Sequence, residues 1–446
     1  MKRQVKIKAL LIIPALLALS PLAVAEILGL EGSSFSLTAK AGHIALGDGN
    51  SLLAWGYAPT GTGQMQYPGP TLIVNQNDVV QITLTNELAE PVSIVFPGQA
   101  GVIASGGTPG VMTNEAQPAG SPSGTTVTYT FSASEPGTYL YQSGTKPEIQ
   151  IEMGLVGAII VRPAGFDPAA PTAYGTAATA YDREFLFFLT DMDRRAHEGL
   201  DGGIPIDPAG YSATLWFING RNGPDTMYPS APSAAWLIAQ PYGALVRAHP
   251  SERVLMRLVG GGRDLHPFHH HGNNTWQIAQ DGRVLESAAG ASAGYPDFVE
   301  TPGTVEDWLP NGATVPDQAV SNYTITIVPG NTYDAIYTWT GRDLNWDIYG
   351  DRPGHTAADC GPPIATEDPN SHCLDLTVTL PEQQALTFGG LWSGSPFLGT
   401  VGVLPPLNGG LNPNGGFSFM WHSHTERELT NDDIFPGGMM TMFIVE

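Results

Sequence analysis

The stretch Val80–Thr85, with the sequence VQITLT, alternates apolar and polar side chains. This period of two is typical of a β-strand with one buried face. Short strand-like segments recur in Val127–Phe131, Tyr139–Tyr141 and Tyr323–Val328. Nowhere does an apolar period of 3.6 residues persist over three turns. The sequence therefore predicts an all-β protein, and its regular strand spacing favours sandwiches or barrels.

Composition and charge narrow the class of protein. The chain has 446 residues, 42% of them hydrophobic and 14% charged, which suits a globular protein of two or more domains. Its formal net charge of −23 argues against nucleic acid and against an anionic membrane surface as partners, because both require a basic face. After the N-terminal segment, no apolar run is long enough to span a bilayer.

Residues 1–25 have the pattern of a secretory signal peptide. A basic start precedes the apolar run Ala9–Leu19, and small residues follow at Ala23–Ala25. We therefore expect an exported protein, periplasmic or extracellular. In an exported chain, Cys360 and Cys373 are expected to form a disulfide, with a zinc loop that includes His355 and His372 as the alternative.

A change in composition near residues 164–182, rich in Ala, Thr and Pro, predicts the boundary between two domains. We place domain 1 at residues 26–165 and domain 2 at residues 166–446. The second is too long for one sandwich. Its excess lies in two loop-like inserts, at about residues 285–320 and 341–417.

Two histidine-rich segments suggest a metal site. They are His266–Gly272, HPFHHHG, and Met420–His424, MWHSH. Residues i and i+2 of a strand share a face, so two adjacent His-x-His strands would direct four imidazoles to one point. Such a group suits copper or zinc, and hydrogen-bonded core histidines are the alternative. The four residues are His269, His271, His422 and His424.

Other candidates have a structural interpretation. Asp191, Asp193 and His197 follow the strand-like Phe185–Leu189 and are expected at a solvated strand end. The methionines of the last strand, Met439 among them, are expected in the core.

The histidine segments resemble those of the multicopper oxidases. His266–Gly272 is similar to the family motif His-Pro-x-His-x-His-Gly, and His422–His424 followed by Met439 is similar to its C-terminal His-Cys-His motif. Tyr67–Leu72, Gly137–Tyr141 and Glu152–Ala158 resemble the first domain of the family. The resemblance implies two cupredoxin-like (plastocyanin-type) Greek-key β-sandwiches in tandem, with long loop insertions in the second.

Several copper ligands of the family are missing. In domain 1 the two histidine pairs are replaced within Val95–Gly98 and Tyr141–Gly144. In domain 2 the resemblance implies that His266 and Met439 (or Met440) are ligands of a blue copper, but Ser423 stands where that site has its cysteine. Glu428 stands where the site has its second histidine. We therefore expect neither a blue copper nor a complete trinuclear cluster.

The surviving residues predict one mononuclear site in domain 2, with His269, His271, His422 and His424 as ligands. Glu428 is expected to approach His424, as a ligand or beside it. Copper is the expected ion, with zinc, manganese and iron as alternatives. The leading hypothesis is an exported metal-binding protein. The alternatives are an oxidoreductase acting on metal ions or phenols and a non-catalytic scaffold, and a homo-oligomer is open in each case.

Overall fold

The computed structural model describes residues 27–61, 63–230, 235–249, 252–288, 315–339 and 417–445. The predicted signal peptide, most of both predicted inserts and the two cysteines lie outside the described residues. Strands dominate the described chain, so the prediction of an all-β protein is confirmed. Within these ranges no helix is long and apolar enough to cross a membrane.

The first half of the chain forms two sheets that face each other. Their order is β1-β4-β11-β10 and β3-β2-β5-β9-β6, with β7 and β8 as a separate small hairpin. In chain order the strands are β1 (Leu30–Glu31), β2 (Ser34–Ala45), β3 (Ser51–Pro59), β4 (Gly69–Asn75), β5 (Val79–Asn86), β6 (Ile103–Gly106), β7 (Thr108–Pro109), β8 (Asn114–Glu115), β9 (Thr126–Ser132), β10 (Gly137–Gln142) and β11 (Val156–Arg162).

The alternation that opened the sequence analysis is visible in β5. Val80, Ile82 and Leu84 are buried, while the residues between them are exposed or half-buried. Their side chains join those of Tyr129 and Ile159 in the core between the two sheets. These residues form the first sandwich because each sheet has one apolar face that is removed from water only by the other sheet.

The second half repeats this plan. One sheet has the order β13-β12-β15-β21-β17-β18, with β19 also paired to β17, and the other has the order β14-β23-β22-β16-β20. In chain order the strands are β12 (Arg183–Met192), β13 (Leu215–Ile218), β14 (Val246–Ala248), β15 (Arg253–Gly260), β16 (His266–His270), β17 (Thr275–Gln280), β18 (Arg283–Val284), β19 (Val320–Asn322), β20 (Thr324–Ile327), β21 (Thr332–Thr338), β22 (Phe417–Ser423) and β23 (Met440–Val445).

The described helices are short. The α-helices are α1 (Pro147–Gln150) and α2 (Arg194–Asp201), and the 3₁₀ turns are Ala177–Thr179, Pro208–Gly210, Asp225–Met227, Ala235–Leu237 and Glu426–Leu429.

The two sandwiches share a buried interface. One apolar cluster contains Leu140 and Ile160 of the first sandwich together with Phe188 and Phe217 of the second. A second contact is ionic. The Arg162 guanidinium donates two hydrogen bonds to the Glu184 carboxylate, at 2.6 and 2.7 Å, and both side chains are buried. The tandem arrangement is thus held by apolar packing and by a paired buried charge.

The prediction of a solvated strand end at residues 191–197 is wrong. β12 continues to Met192, so Asp191 belongs to the sheet, and Asp193 accepts a hydrogen bond from the backbone N–H of Arg195 as the N-cap of α2. His197 donates from Nδ1 to the carbonyl oxygen of Leu53 in the first sandwich, at 2.6 Å. All three side chains are buried: Asp191 accepts hydrogen bonds from the turn before β16, Asp193 caps α2, and His197 lies against the first sandwich.

Candidate metal centre

The two histidine segments lie on neighbouring strands. β16 and β22 pair antiparallel, and His269 stands directly opposite His422. Side chains along β16 alternate as the sequence predicts. His270 points into the core between Phe268 and Trp421 and is 2% exposed, while His269 lies half-buried on the outer face. The outer face of this strand pair is therefore the place where the imidazoles meet.

Three of these imidazoles form a compact group. One ring nitrogen from each of His269, His271 and His422 lies within 4.8 Å of the other two. The Nε2 atoms of His271 and His422 are 3.1 Å apart. Nitrogen ligands of a metal such as zinc lie about 2 Å from the ion, so a small closure of this group would surround one ion.

His424 lies beside this group but outside it. Its ring centroid is 4.8 Å from that of His269 and 5.8 Å from that of His422, and its side chain is exposed. The backbone N–H of His424 donates to the carbonyl oxygen of Pro267 at 2.8 Å, which fixes the chain just beyond the end of β22. His424 thus borders the open side of the three-histidine group.

Hydrogen bonds orient two of the rings. Nδ1 of His422 donates to the carbonyl oxygen of Ser423 at 2.6 Å. Nδ1 of His269 lies 2.7 Å from Oγ1 of Thr324 on the adjacent strand β20. In both rings the partner holds Nδ1, so Nε2 is the nitrogen left to face a metal ion.

The three imidazoles are uncharged near neutral pH, which favours the binding of a metal ion. Burial, reinforced by the neighbouring imidazoles His422 and His424, lowers the pKa of His269 to about 4. Burial and the same kind of neighbours lower the pKa of His271 to about 3, and burial also lowers the pKa of His422. Near neutral pH these rings are uncharged and their lone pairs are available to a metal ion.

His266 lies in a different environment. Its Nε2 is 3.2 Å from Oδ1 of Asp191 and its Nδ1 is 2.9 Å from Oε2 of Glu428. All three side chains are nearly inaccessible to solvent. Although burial disfavours the cation, hydrogen bonds and charge attraction from the two carboxylates raise the pKa of His266 to about 9. His266 is therefore an imidazolium held between two carboxylates.

The sequence analysis names His266 and Glu428 as candidate metal ligands, and in this structure they pair with each other. Both ring nitrogens of His266 are hydrogen-bonded to carboxylates, so neither is free for an ion. We expected Glu428 to approach His424. Instead the 3₁₀ turn Glu426–Leu429 carries Glu428 back to His266, with Ser423 fully buried at the end of β22. A blue copper does not fit these residues, because the position offers a hydroxyl and an ion pair where the metal needs a thiolate and a free imidazole.

The first sandwich offers no comparable group among its described residues. Where the resemblance would place histidines, Val95 pairs with Gln142 through the backbone, and the neighbouring Ser93 hydrogen-bonds to Thr145 at 2.8 Å. These polar groups bond to each other within the fold. The metal-binding potential of the described chain is thus concentrated in the second sandwich.

Two functional neighbours were missed by sequence reasoning. Asp191 is 75 positions from His266 and Thr324 is 55 positions from His269. The sequence predicts Asp191 at a solvated strand end and gives no sign of its contact with His266. The one available signal for Thr324 was its place in a predicted strand, since its partner depends on strand register, which no local spacing encodes.

Comparisons with known proteins agree with the fold. A family model described as multicopper oxidase matches residues 57–165, within the first sandwich. The chain is 39% identical over 102 residues to laccase 1 of Metarhizium majus (strain ARSEF 297), a match that covers 22% of this chain and 16% of that relative. The chain spans under a quarter of the length of each of the curated relatives that it matches.

Solved structures cover more of the chain. The blue copper oxidase from Nitrosomonas europaea aligns over 92% of this chain and 85% of its own, with a TM-score of 0.54 and 18% identity. The multicopper oxidase mgLAC aligns over 94% and 87%, with a TM-score of 0.55 and 16% identity. These likenesses show the fold, which is two cupredoxin-like sandwiches in tandem. The family match thus covers the first sandwich, and the shared fold extends the likeness to the second.

Proposed function

We propose that the protein is an exported metal-binding member of this family that holds one copper ion in its second sandwich. His269, His271 and His422 would be the ligands, and His424 would border the ion. The observation that carries the proposal is the convergence of three imidazole nitrogens within 4.8 Å. Three separate hydrogen-bonded core histidines would have no reason to meet in this way, so the convergence also argues against a bare scaffold.

The donor set favours copper over the alternatives. Neutral imidazoles suit Cu, Zn and Fe, whereas Mn prefers carboxylate and water oxygens. Among divalent ions of the first transition row, Cu(II) binds most tightly to such ligands. A bound copper ion would supply a Lewis acid or a one-electron centre at this place. This chain's own residues would hold it, keep the ligands neutral and leave one side open.

That open side supports a second candidate function, an oxidoreductase acting on a metal ion or a phenol. His424 is exposed and His269 is only half-buried, so a small molecule could reach the ion, as in catalytic sites that keep a free coordination position. Such a reaction would take place at a single centre, because the ion pair at His266 occupies the position of a blue copper.

Copper titration of residues 26–446 tests the proposal. We expect about one Cu(II) per chain by mass spectrometry, with a non-blue spectrum. The double variant His271→Ala/His422→Ala should weaken binding by more than about a hundredfold, since loss of even an outer-shell partner costs 10–100-fold. The matched control is His43→Ala, an exposed histidine of the first sandwich, which should bind as the wild type does.

Either of two results would reject the proposed site. The first is less than a tenth of an equivalent of copper in the wild type. The second is undiminished binding in the double variant. Turnover of phenols or metal ions by the copper-loaded chain, lost in the double variant, would favour the oxidoreductase over a binding protein.

A further inference from the structure

Thr324 lies at the back of the candidate metal centre. It opens strand β20 and stands directly opposite His269 in the antiparallel pairing of β20 with β16. Its Oγ1 is 2.7 Å from Nδ1 of His269, which is a short hydrogen bond. The hydroxyl therefore occupies Nδ1, one of the two ring nitrogens of His269.

This hydrogen bond has one consequence for metal binding. A neutral imidazole carries its proton on one nitrogen and a lone pair on the other. When Nδ1 donates to Oγ1 of Thr324, the lone pair is on Nε2, the ring nitrogen left for a metal ion. If the proton were on Nε2 instead, His269 could not bind the ion from that side. A threonine hydroxyl that accepts the Nδ1 proton thus keeps Nε2 free as the ligand atom.

Thr324 differs from the other anchors of the group. His422 is held through the backbone carbonyl of Ser423, which no side-chain substitution removes. The Nε2 atoms of His271 and His422 contact each other. Among the described residues, Thr324 is the only side chain from outside the three histidines with a hydrogen bond to one of their ring nitrogens. It is thus the one anchor that a substitution can test.

We propose that Thr324 is a positioning residue of the metal centre, whose hydroxyl selects Nε2 of His269 as a ligand atom and thereby sets the affinity for the ion. The inference rests on the proposed function, since it supposes that the three histidines bind a metal. It adds that the affinity depends on a neutral hydroxyl brought by β20, a strand outside both histidine motifs.

The test removes the hydroxyl while keeping the shape of the side chain. In residues 26–446, Thr324→Val should lower Cu(II) affinity by about 10–100-fold, measured by competition with a chelator. The electron paramagnetic resonance spectrum of the bound Cu(II) should also change, because His269 is no longer held in the ligating tautomer. Thr324→Ser restores the hydroxyl and should bind within about threefold of the wild type.

Thr326 provides a matched control. It lies two residues along β20 on the same face, opposite Pro267, and is exposed. Thr326→Val makes the same chemical change without a hydrogen bond to the cluster and should leave both affinity and spectrum unchanged. If Thr324→Val does not fold, Thr324→Ala removes the same hydroxyl and carries the same expected loss.

The inference is overturned if the variant without the hydroxyl matches the wild type in affinity and spectrum. It is also overturned if Thr324→Ser or Thr326→Val loses as much affinity as Thr324→Val. These failures differ from failure of the proposed function. A wild-type chain that binds no copper rejects the metal site itself, whereas a wild type that binds copper regardless of Thr324 rejects only the positioning role.

Discussion

His266 and His269 lie three residues apart in the same strand, yet their surroundings are opposite in charge. His266 is between the carboxylates of Asp191 and Glu428, and its pKa is raised to about 9. His269 lies among other imidazoles, and burial and those neighbours lower its pKa to about 4. One ring is a cation near neutral pH and the other is uncharged.

The comparison teaches that a histidine motif does not by itself specify metal ligands. Positions 266 and 269 face opposite sides of β16, so different strands supply their neighbours. β12 and the 3₁₀ turn after β22 bring acids to the inner ring, whereas β22 itself brings imidazoles to the outer one. A carboxylate stabilises the proton that a metal would have to displace, and a neighbouring imidazole disfavours it.

The largest expected effect comes from removing the inner cation. His266→Gln leaves two buried carboxylates without their shared positive charge, and removing one partner of a buried ion pair typically costs about 3–5 kcal/mol. We expect the free energy of unfolding, measured with urea, to fall by that amount. Copper stoichiometry at saturation should stay at the wild-type value, because His266 is not a ligand.

A double-mutant cycle separates the ion pair from general damage. In a Glu428→Gln background, His266→Gln should lower the free energy of unfolding by clearly less than in the wild type. One of the two carboxylates that would be left unpaired is already absent there. Loss of copper in a folded His266→Gln chain would contradict the division between the two environments and return His266 to the metal site.

The second effect is the pH dependence of the free energy of unfolding of the metal-free chain. The folded pKa of His266 is about 9 against an ordinary value of 6.5, so its stabilisation is full below pH 6.5 and is lost as pH rises through about 9. The free energy of unfolding should therefore decline there by up to about 1.4 kcal/mol per pH unit. Urea midpoints at pH 6.5, 8 and 9.5 measure the decline, which should be smaller in His266→Gln.

The histidines with lowered pKa values give the free energy of unfolding the opposite dependence on pH. The pKa values of His269 and His271 are lowered to about 4 and 3, and that of the buried His270 to about 3. Below pH 6.5 these histidines are protonated in the unfolded chain but not in the folded chain. The free energy of unfolding therefore falls as the pH falls towards these values. This acid decline should persist in His266→Gln. If His266→Gln changed the acid and the alkaline decline equally, the two environments would not be independent.

The smallest effect concerns His424, which borders the three-histidine group. His424→Ala should weaken copper binding by no more than about tenfold, at the low end of what outer-shell partners contribute. The same chelator competition measures it, with His43→Ala as the control. A loss as large as that of the double variant His271→Ala/His422→Ala would make His424 a fourth ligand, as the sequence motif predicts, and would show that the ion draws it into the group.

Much of the fold was predictable from local pattern. The alternation in Val80–Thr85 predicted β5, and the two His-x-His motifs predicted that His269 and His271 share a face opposite to His270. The burial of His197 was not predictable, because its partner Leu53 belongs to the first sandwich, 144 residues earlier in the chain.

The sequence by itself determined the all-β class, the resemblance to the multicopper oxidases and the identity of the residues able to bind a metal. The fold class follows from composition and the two-residue period of a strand, and the resemblance rests on short motifs; all of these are local properties. Only the tertiary structure decided which of those residues meet. It joined His266 to Asp191 and Glu428, grouped His269, His271 and His422, and brought Thr324 behind them. The reason is physical: contacts between distant strands depend on register and on the turns between them, and a shift of one residue would reverse every face.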